Sequence, residues 1–149
     1  MIKVKNISKE FDKSPVLKGI STIFEKGKTN LIIGQSGSGK TVFLKCLLGL
    51  FETNSGQIFF ENSPINLMSS KERSVLRQEI GMVFQGSALF DSMTVEENIM
   101  FPMQMFTKKD DDEVRERANQ VIKRVNLINA NNKYPDEISG GMKKRVAIA

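Results

Sequence analysis

Apolar and polar positions alternate at strand spacing through the opening third of the chain. Ile2, Val4 and Ile7, then Val16, Leu17, Ile20, Ile23 and Phe24, are divided by Asp12-Lys13-Ser14-Pro15 and closed by Glu25-Lys26-Gly27-Lys28. Such runs between turn-forming residues predict short β-segments joined by tight turns. Leu31-Ile32-Ile33 is a further apolar run of strand type, and Val42 to Leu50 reads as a helix. Glu52-Thr53-Asn54-Ser55-Gly56 predicts a turn, Gln57-Ile58-Phe59-Phe60 a strand, and Ser63-Pro64 a break.

Helical spacing takes over after that. Ser70-Lys71-Glu72-Arg73 leads into a helix to about Gln78, and Ile80-Gly81-Met82-Val83-Phe84 predicts a short buried strand ending on Gln85. Thr94-Val95-Glu96-Glu97 has the form of a capping box and predicts a helix interrupted by Pro102. Asp110-Asp111-Asp112-Glu113 sets negative charge at another helix start, where the helix dipole favours it. Val114, Ala118, Val121, Ile122 and Val125 continue that helix at i, i+3, i+4 spacing. Tyr134-Pro135-Asp136-Glu137 is a break, after which Ser139 caps a final helix through Ile148. No internal repeat, low-complexity tract or linker interrupts the order.

Composition narrows the chemistry. The 149 residues are 40% hydrophobic and 26% charged, ordinary for one globular domain. No apolar run approaches the ~20 residues that span a bilayer, and the N-terminus has no signal-peptide core. The single cysteine, Cys46, excludes an internal disulfide and reads as a small buried hydrophobe, which suits a reducing cytoplasm. The net charge of +5 is spread along the chain, and its tightest cluster, Lys143-Lys144-Arg145, reads as a solvated helix face, so no nucleic-acid partner is expected. The absence of histidine excludes any histidine base or metal ligand within these residues.

The strongest chemical signal is Gly34-Gln35-Ser36-Gly37-Ser38-Gly39-Lys40-Thr41, which fits the phosphate-binding pattern G-x-x-x-x-G-K-[ST] at every fixed position. Its glycines let the backbone curl so that successive N–H groups point at an anion. Lys40 supplies a point charge for the outer phosphates, and Thr41 a hydroxyl for magnesium. A predicted strand before the loop and a predicted helix after it place the phosphates on a helix N-terminus. Guanine recognition is unsupported, because Asn132-Lys133-Tyr134-Pro135 has proline where N-K-x-D needs aspartate.

Three further features narrow the phosphate-loop proteins. Ile138-Ser139-Gly140-Gly141-Met142 precedes a basic helix, Gln85 stands 45 residues after Lys40, and Phe11 lies in an early turn. In this order and spacing the chain resembles the ATPase subunits of ABC transporters over essentially its whole length. The resemblance implies an α/β P-loop NTPase fold. A RecA-like core would carry an N-terminal antiparallel β subdomain, with the first part covering about residues 1–85. The α-helical signature subdomain would take about residues 86–149. It implies ATP and Mg²⁺ as ligands. Phe11 would stack on adenine, worth roughly 1–3 kcal/mol for a base on an aromatic ring. Gly34 to Thr41 would hold the phosphates, Thr41 and Gln85 would reach magnesium, and Lys40 and Gln85 would serve the reaction. Ser139, Gly140 and Gly141 would face the ATP bound by a second copy, making a two-chain sandwich. Membrane permease subunits would be the other partners, with the protein peripheral on the cytoplasmic face of the membrane.

Met142, and the run Phe84-Gln85-Gly86-Ser87-Ala88-Leu89-Phe90-Asp91-Ser92-Met93-Thr94-Val95-Glu96-Glu97-Asn98, look like the Mla-type ATPases of phospholipid traffic. Importers of amino acids and other solutes are the nearest alternative. DNA-associated ABC ATPases usually carry long insertions, whereas Lys40 and Ser139 are only 99 residues apart here. The family also carries an apolar strand ending in a magnesium-binding aspartate and a catalytic glutamate, and a later switch histidine. None of these occurs among the 149 residues. The sequence therefore reads as the N-terminal portion of a longer ATPase, expected to bind nucleotide but to hydrolyse it poorly on its own.

Overall fold

The computed structural model describes residues 1–149, which divide into two compact units, Met1–Gly81 and Met82–Ala149. The first unit is built on a four-stranded antiparallel sheet. Strands β1 (Ile2–Phe11), β2 (Ser14–Phe24), β3 (Ser55–Phe60) and β4 (Ser63–Pro64) lie in the order β2-β1-β3-β4. Ser63-Pro64, predicted to break the pattern, instead forms the short edge strand, where a proline costs no ladder bond. Asp12 and Lys13 close the β1–β2 hairpin with φ of 48° and 64°, the left-handed pair that a two-residue turn requires.

The alternation in β1 slips by one residue between Val4 and Ile7, both buried. Asn6, at φ 48°, is the cause: it forms a bulge that shifts the register against both neighbouring strands. Gly56 faces this bulge with φ 82°, and a Cβ there would lie 2.3 Å from the Asn6 carbonyl oxygen. The inner sheet face packs on α1 (Lys40–Leu47) and α2 (Ser70–Gln78), burying Val4, Ile7, Leu17, Phe43, Cys46, Leu47, Ile58 and Leu76 in one core. Cys46 is the buried hydrophobe its sequence context predicts, and burial pushes its thiol pKa up.

Two predicted strands do not form. Leu31-Ile32-Ile33 has no ladder partner, and Leu31 and Ile33 are 84% and 81% exposed, while Ile32 packs on the core. Ile80–Phe84 is likewise unpaired, so Gln85 lies in a turn and not at a strand end. Apolar β-branched residues favour an extended backbone, but a strand exists only through the neighbour it bonds.

The second unit is helical: α3 (Val95–Phe106), α4 (Asp111–Arg124) and α5 (Gly140–Ile148). Thr94 caps α3 through the predicted box, its Oγ1 accepting from Glu97 N–H while the Glu97 carboxylate accepts from Thr94 N–H at 2.7 Å. Pro102 does not interrupt α3, which runs on to Phe106. One exposed proline removes a single ladder bond, and the helix is held on its other face by buried Val95, Ile99 and Met100. Val114, Ala118 and Ile122 are the buried stripe of α4, as their spacing predicts. They meet Leu127, Ala130, Ile138 and Val146 in a core of the unit's own. Arg145 of α5 donates to the carbonyls of Asn126, at 2.8 Å, and Val125, satisfying oxygens at the end of α4.

Candidate functional site

The first unit holds a phosphate-loop geometry. Gly34 to Gly39 form an irregular turn leading directly into α1. Gly37 and Gly39 stand at φ 78° and 91°, which a side chain would strain. At Gly39 space is the second constraint, since a Cβ would come within 3.1 Å of the Val16 and Leu17 side chains of β2. Ser38 N–H bonds the Gln35 carbonyl at 3.2 Å and tightens the turn. No side chain caps α1. Its first ladder bond is Phe43 N–H to Gly39 C=O at 2.8 Å, so the N–H groups of Lys40, Thr41 and Val42 precede the first ladder bond. An uncapped N-terminus of this kind attracts an anion through its open donors and the helix dipole.

Lys40 curls back over the loop and donates to the carbonyls of Gly34 and Gln35, both at 2.7 Å. Its ammonium therefore lies within the loop. Thr41 is exposed one residue on. Gln35, Ser36 and Ser38 line the exposed outer rim. No group of three or more acidic, cysteine or histidine side chains is placed to hold a metal ion. The donor set at α1 is a neutral hydroxyl, which suits a magnesium ion arriving with phosphate oxygens and water, not one held in a protein cage.

Phe11 ends β1 in the same unit and is 39% exposed. Its ring meets Phe51 edge-on, with centroids 5.4 Å apart, and Lys9 Nζ lies 4.9 Å from its centroid. Phe51 carries no sequence signal, because 40 residues separate it from Phe11 and only the fold brings the two together.

The second unit holds the other predicted residues. Gln85 is exposed in a turn closed by Ser87 N–H to Phe84 C=O at 3.0 Å. Ser139 caps α5 as predicted, its Oγ accepting from Met142 N–H at 3.3 Å. That bond uses a lone pair and leaves the hydroxyl proton free to donate. Gly140 and Gly141 are exposed, and a Cβ at Gly140 would meet nothing within 4 Å. The chain's own packing does not demand glycine there. An approaching anion or backbone would.

Known proteins are similar to this chain in sequence and in fold. The family model described as ABC transporter matches residues 17–149. The chain is 43% identical over 149 residues to the arginine transport ATP-binding protein ArtM of Bacillus subtilis, covering all of this chain and 62% of that protein. It is 38% identical over 150 residues to the Arabidopsis thaliana chloroplast protein named trigalactosyldiacylglycerol 3, covering all of this chain and 43% of the relative. Among solved structures, the dimeric post-hydrolysis state of the ATP-binding cassette MJ0796 with ADP and Pi superposes with a TM-score of 0.88 at 30% identity, over 99% of this chain and 67% of that one. The chain spans less than two thirds of the length of these curated relatives.

Proposed function

This chain belongs to the ABC transporter family, and we propose that it is the ATP-binding part of a transporter subunit that couples ATP binding and hydrolysis to movement of a solute across a membrane. The observation that carries this is the preorganised loop at Gly34–Thr41, with its lysine inside and an uncapped helix start beneath it. The loop would take the phosphates, Lys40 the outer ones, and Thr41 would hold magnesium, while Gln85 would serve the reaction. Phe11 would stack on the base. Magnesium would supply charge neutralisation of the β- and γ-phosphates. Ser139, Gly140 and Gly141 would bind the ATP of a second copy, so that the active unit is a dimer docked on membrane subunits. No helix here is long and apolar enough to cross a membrane, which fits attachment through such subunits.

Titration with a fluorescent ATP analogue tests the core of this reading. Wild-type protein should bind saturably, and Lys40→Ala should weaken binding at least tenfold. Unchanged affinity in Lys40→Ala would defeat it.

Within the family we propose phospholipid traffic as the solute class, on the segment Phe84–Asn98 and on Met142. Import of a small solute is the second reading, favoured by the 43% identity to an arginine transport protein. Reconstitution of the whole protein with its membrane subunits separates the two. Stimulation of ATP turnover by phospholipid supports the first, and stimulation by arginine or another free amino acid supports the second.

A further inference from the structure

The helix of the phosphate loop is tied at both ends to the strand end that carries Phe11. At its start, Gly39 lies against Val16 and Leu17, and Leu17 pairs with Lys9 of β1. At its end, the N–H groups of Leu50 and Phe51 both donate to the Lys45 carbonyl, at 2.9 and 3.2 Å. This fixes the backbone of Phe51 against the last turn of α1. Asn54 then ties the same segment to β1 twice. Its N–H donates to the Ser8 carbonyl at 2.8 Å, and its Oδ1 accepts from Glu10 N–H at 3.0 Å. The ring of Phe51 is pinned from its own side by Lys45 Nζ, 5.0 Å from its centroid. It meets Phe11 at an interplanar angle of 71°.

We propose that Phe51 is a positioning residue for the nucleotide base, acting through Phe11. The inference rests on the reading of Phe11 as the base-stacking ring. A phenylalanine at an exposed strand end can turn about two side-chain torsions, and a base stacks on it at less entropic cost when the ring is already oriented. The edge contact from Phe51 restricts that freedom. Because Phe51 lies in the turn just after α1 and its N–H bonds the Lys45 carbonyl of that helix, the base platform and the phosphate cradle share one support. The spacing between them is then built into α1 and its two anchors on the hairpin.

The test compares ATP with inorganic tripolyphosphate, which has the phosphates and no base, in the intact chain with magnesium. Phe11→Ala should raise the Kd for ATP about tenfold and leave tripolyphosphate within twofold, as loss of a base–aromatic stack predicts. Phe51→Leu, which keeps bulk and removes the ring, should raise the ATP Kd by about fivefold in the same base-dependent way. Phe51→Tyr should restore it to within twofold. If Phe51→Leu weakens ATP and tripolyphosphate equally, the residue only supports the fold and the inference fails. If Phe11→Ala shifts ATP and Phe51→Leu does not, the inference fails while the stacking role of Phe11 stands. If Phe11→Ala leaves ATP unchanged, the stacking role fails and the inference with it.

Discussion

Asn6 and Gly56 show how much one residue decides in this fold. The bulge at Asn6 brings the Asn6 carbonyl oxygen and the Lys5 carbonyl oxygen to where a Cβ of residue 56 would lie, at 2.3 and 2.5 Å. The obstacle is backbone, and it cannot swing aside. Gly56→Ala should therefore cost at least about 2 kcal/mol, combining the left-handed backbone penalty with the displacement of β1. Chemical denaturation is the check, and a loss under 0.5 kcal/mol would mean the bulge yields easily. Residue chemistry of this kind was partly legible. The glycines of Gly34–Gly39 announced themselves through a fixed spacing with lysine and threonine. Gly56 did not, because its partner is a bulge created 50 residues earlier in the sequence.

At the scale of elements, caps were easier to read than strands. Thr94 with Glu97 and Ser139 before α5 cap helices where their side chains predicted, because a cap is satisfied within three residues, and Asp110, expected only as charge at a helix start, caps α4 as well. Ser69 and Glu72 form a second box at α2, with the Glu72 carboxylate accepting from Ser69 N–H and Oγ, both at 2.7 Å. Leu31–Ile33 and Ile80–Phe84 failed as strands because pairing depends on a distant neighbour that local pattern does not describe. Thr94→Ala should cost about 1 kcal/mol of stability and lower helix content. The boxes also carry a pH signature. Bonds from Thr94 N–H and then from its hydroxyl hold Glu97 below the ordinary glutamate value of 4.5, and bonds from the hydroxyl and N–H of Ser69 do the same for Glu72. A depressed carboxyl contributes stability that is present above its unfolded pKa and is lost as pH falls through its folded one. Acid unfolding should steepen below pH 4.5, the reference value for both groups, and Glu97→Gln should flatten it. An unchanged acid limb in Glu97→Gln would remove the box from the account.

For the molecule as a whole, the exposed apolar residues set the behaviour in solution. Leu31 and Ile33 stand 84% and 81% exposed in a segment with no ladder partner, and Ile23 is 50% exposed on the edge strand β2. Unpaired, extended and apolar segments invite pairing with another chain. The 149-residue chain should therefore self-associate as its concentration rises, and Leu31→Lys with Ile33→Lys should shift it toward the monomer. Sedimentation velocity reads this directly, and a wild-type chain that stays monomeric at high concentration would refute it. The overall fold was legible from the sequence mainly through the phosphate loop and the Ser139–Gly141 turn, which brought the family with them. The separate cores of Met1–Gly81 and Met82–Ala149 were not readable from local pattern, because each gathers residues far apart in the sequence.

Lys40 bears on how the protein should be handled at the bench. With its ammonium already bonded to Gly34 and Gln35, the cradle is shaped before anything enters it. Sulfate and phosphate share the tetrahedral oxyanion chemistry of a nucleotide's phosphates, so the oxyanions of common buffers should compete for the proposed site. Sulfate and inorganic phosphate should raise the melting temperature of the wild-type chain and not that of Lys40→Ala, by the usual linkage between occupancy and stability. Nucleotide affinities measured in phosphate buffer would then come out too weak, and chloride-based buffers would report the intrinsic value.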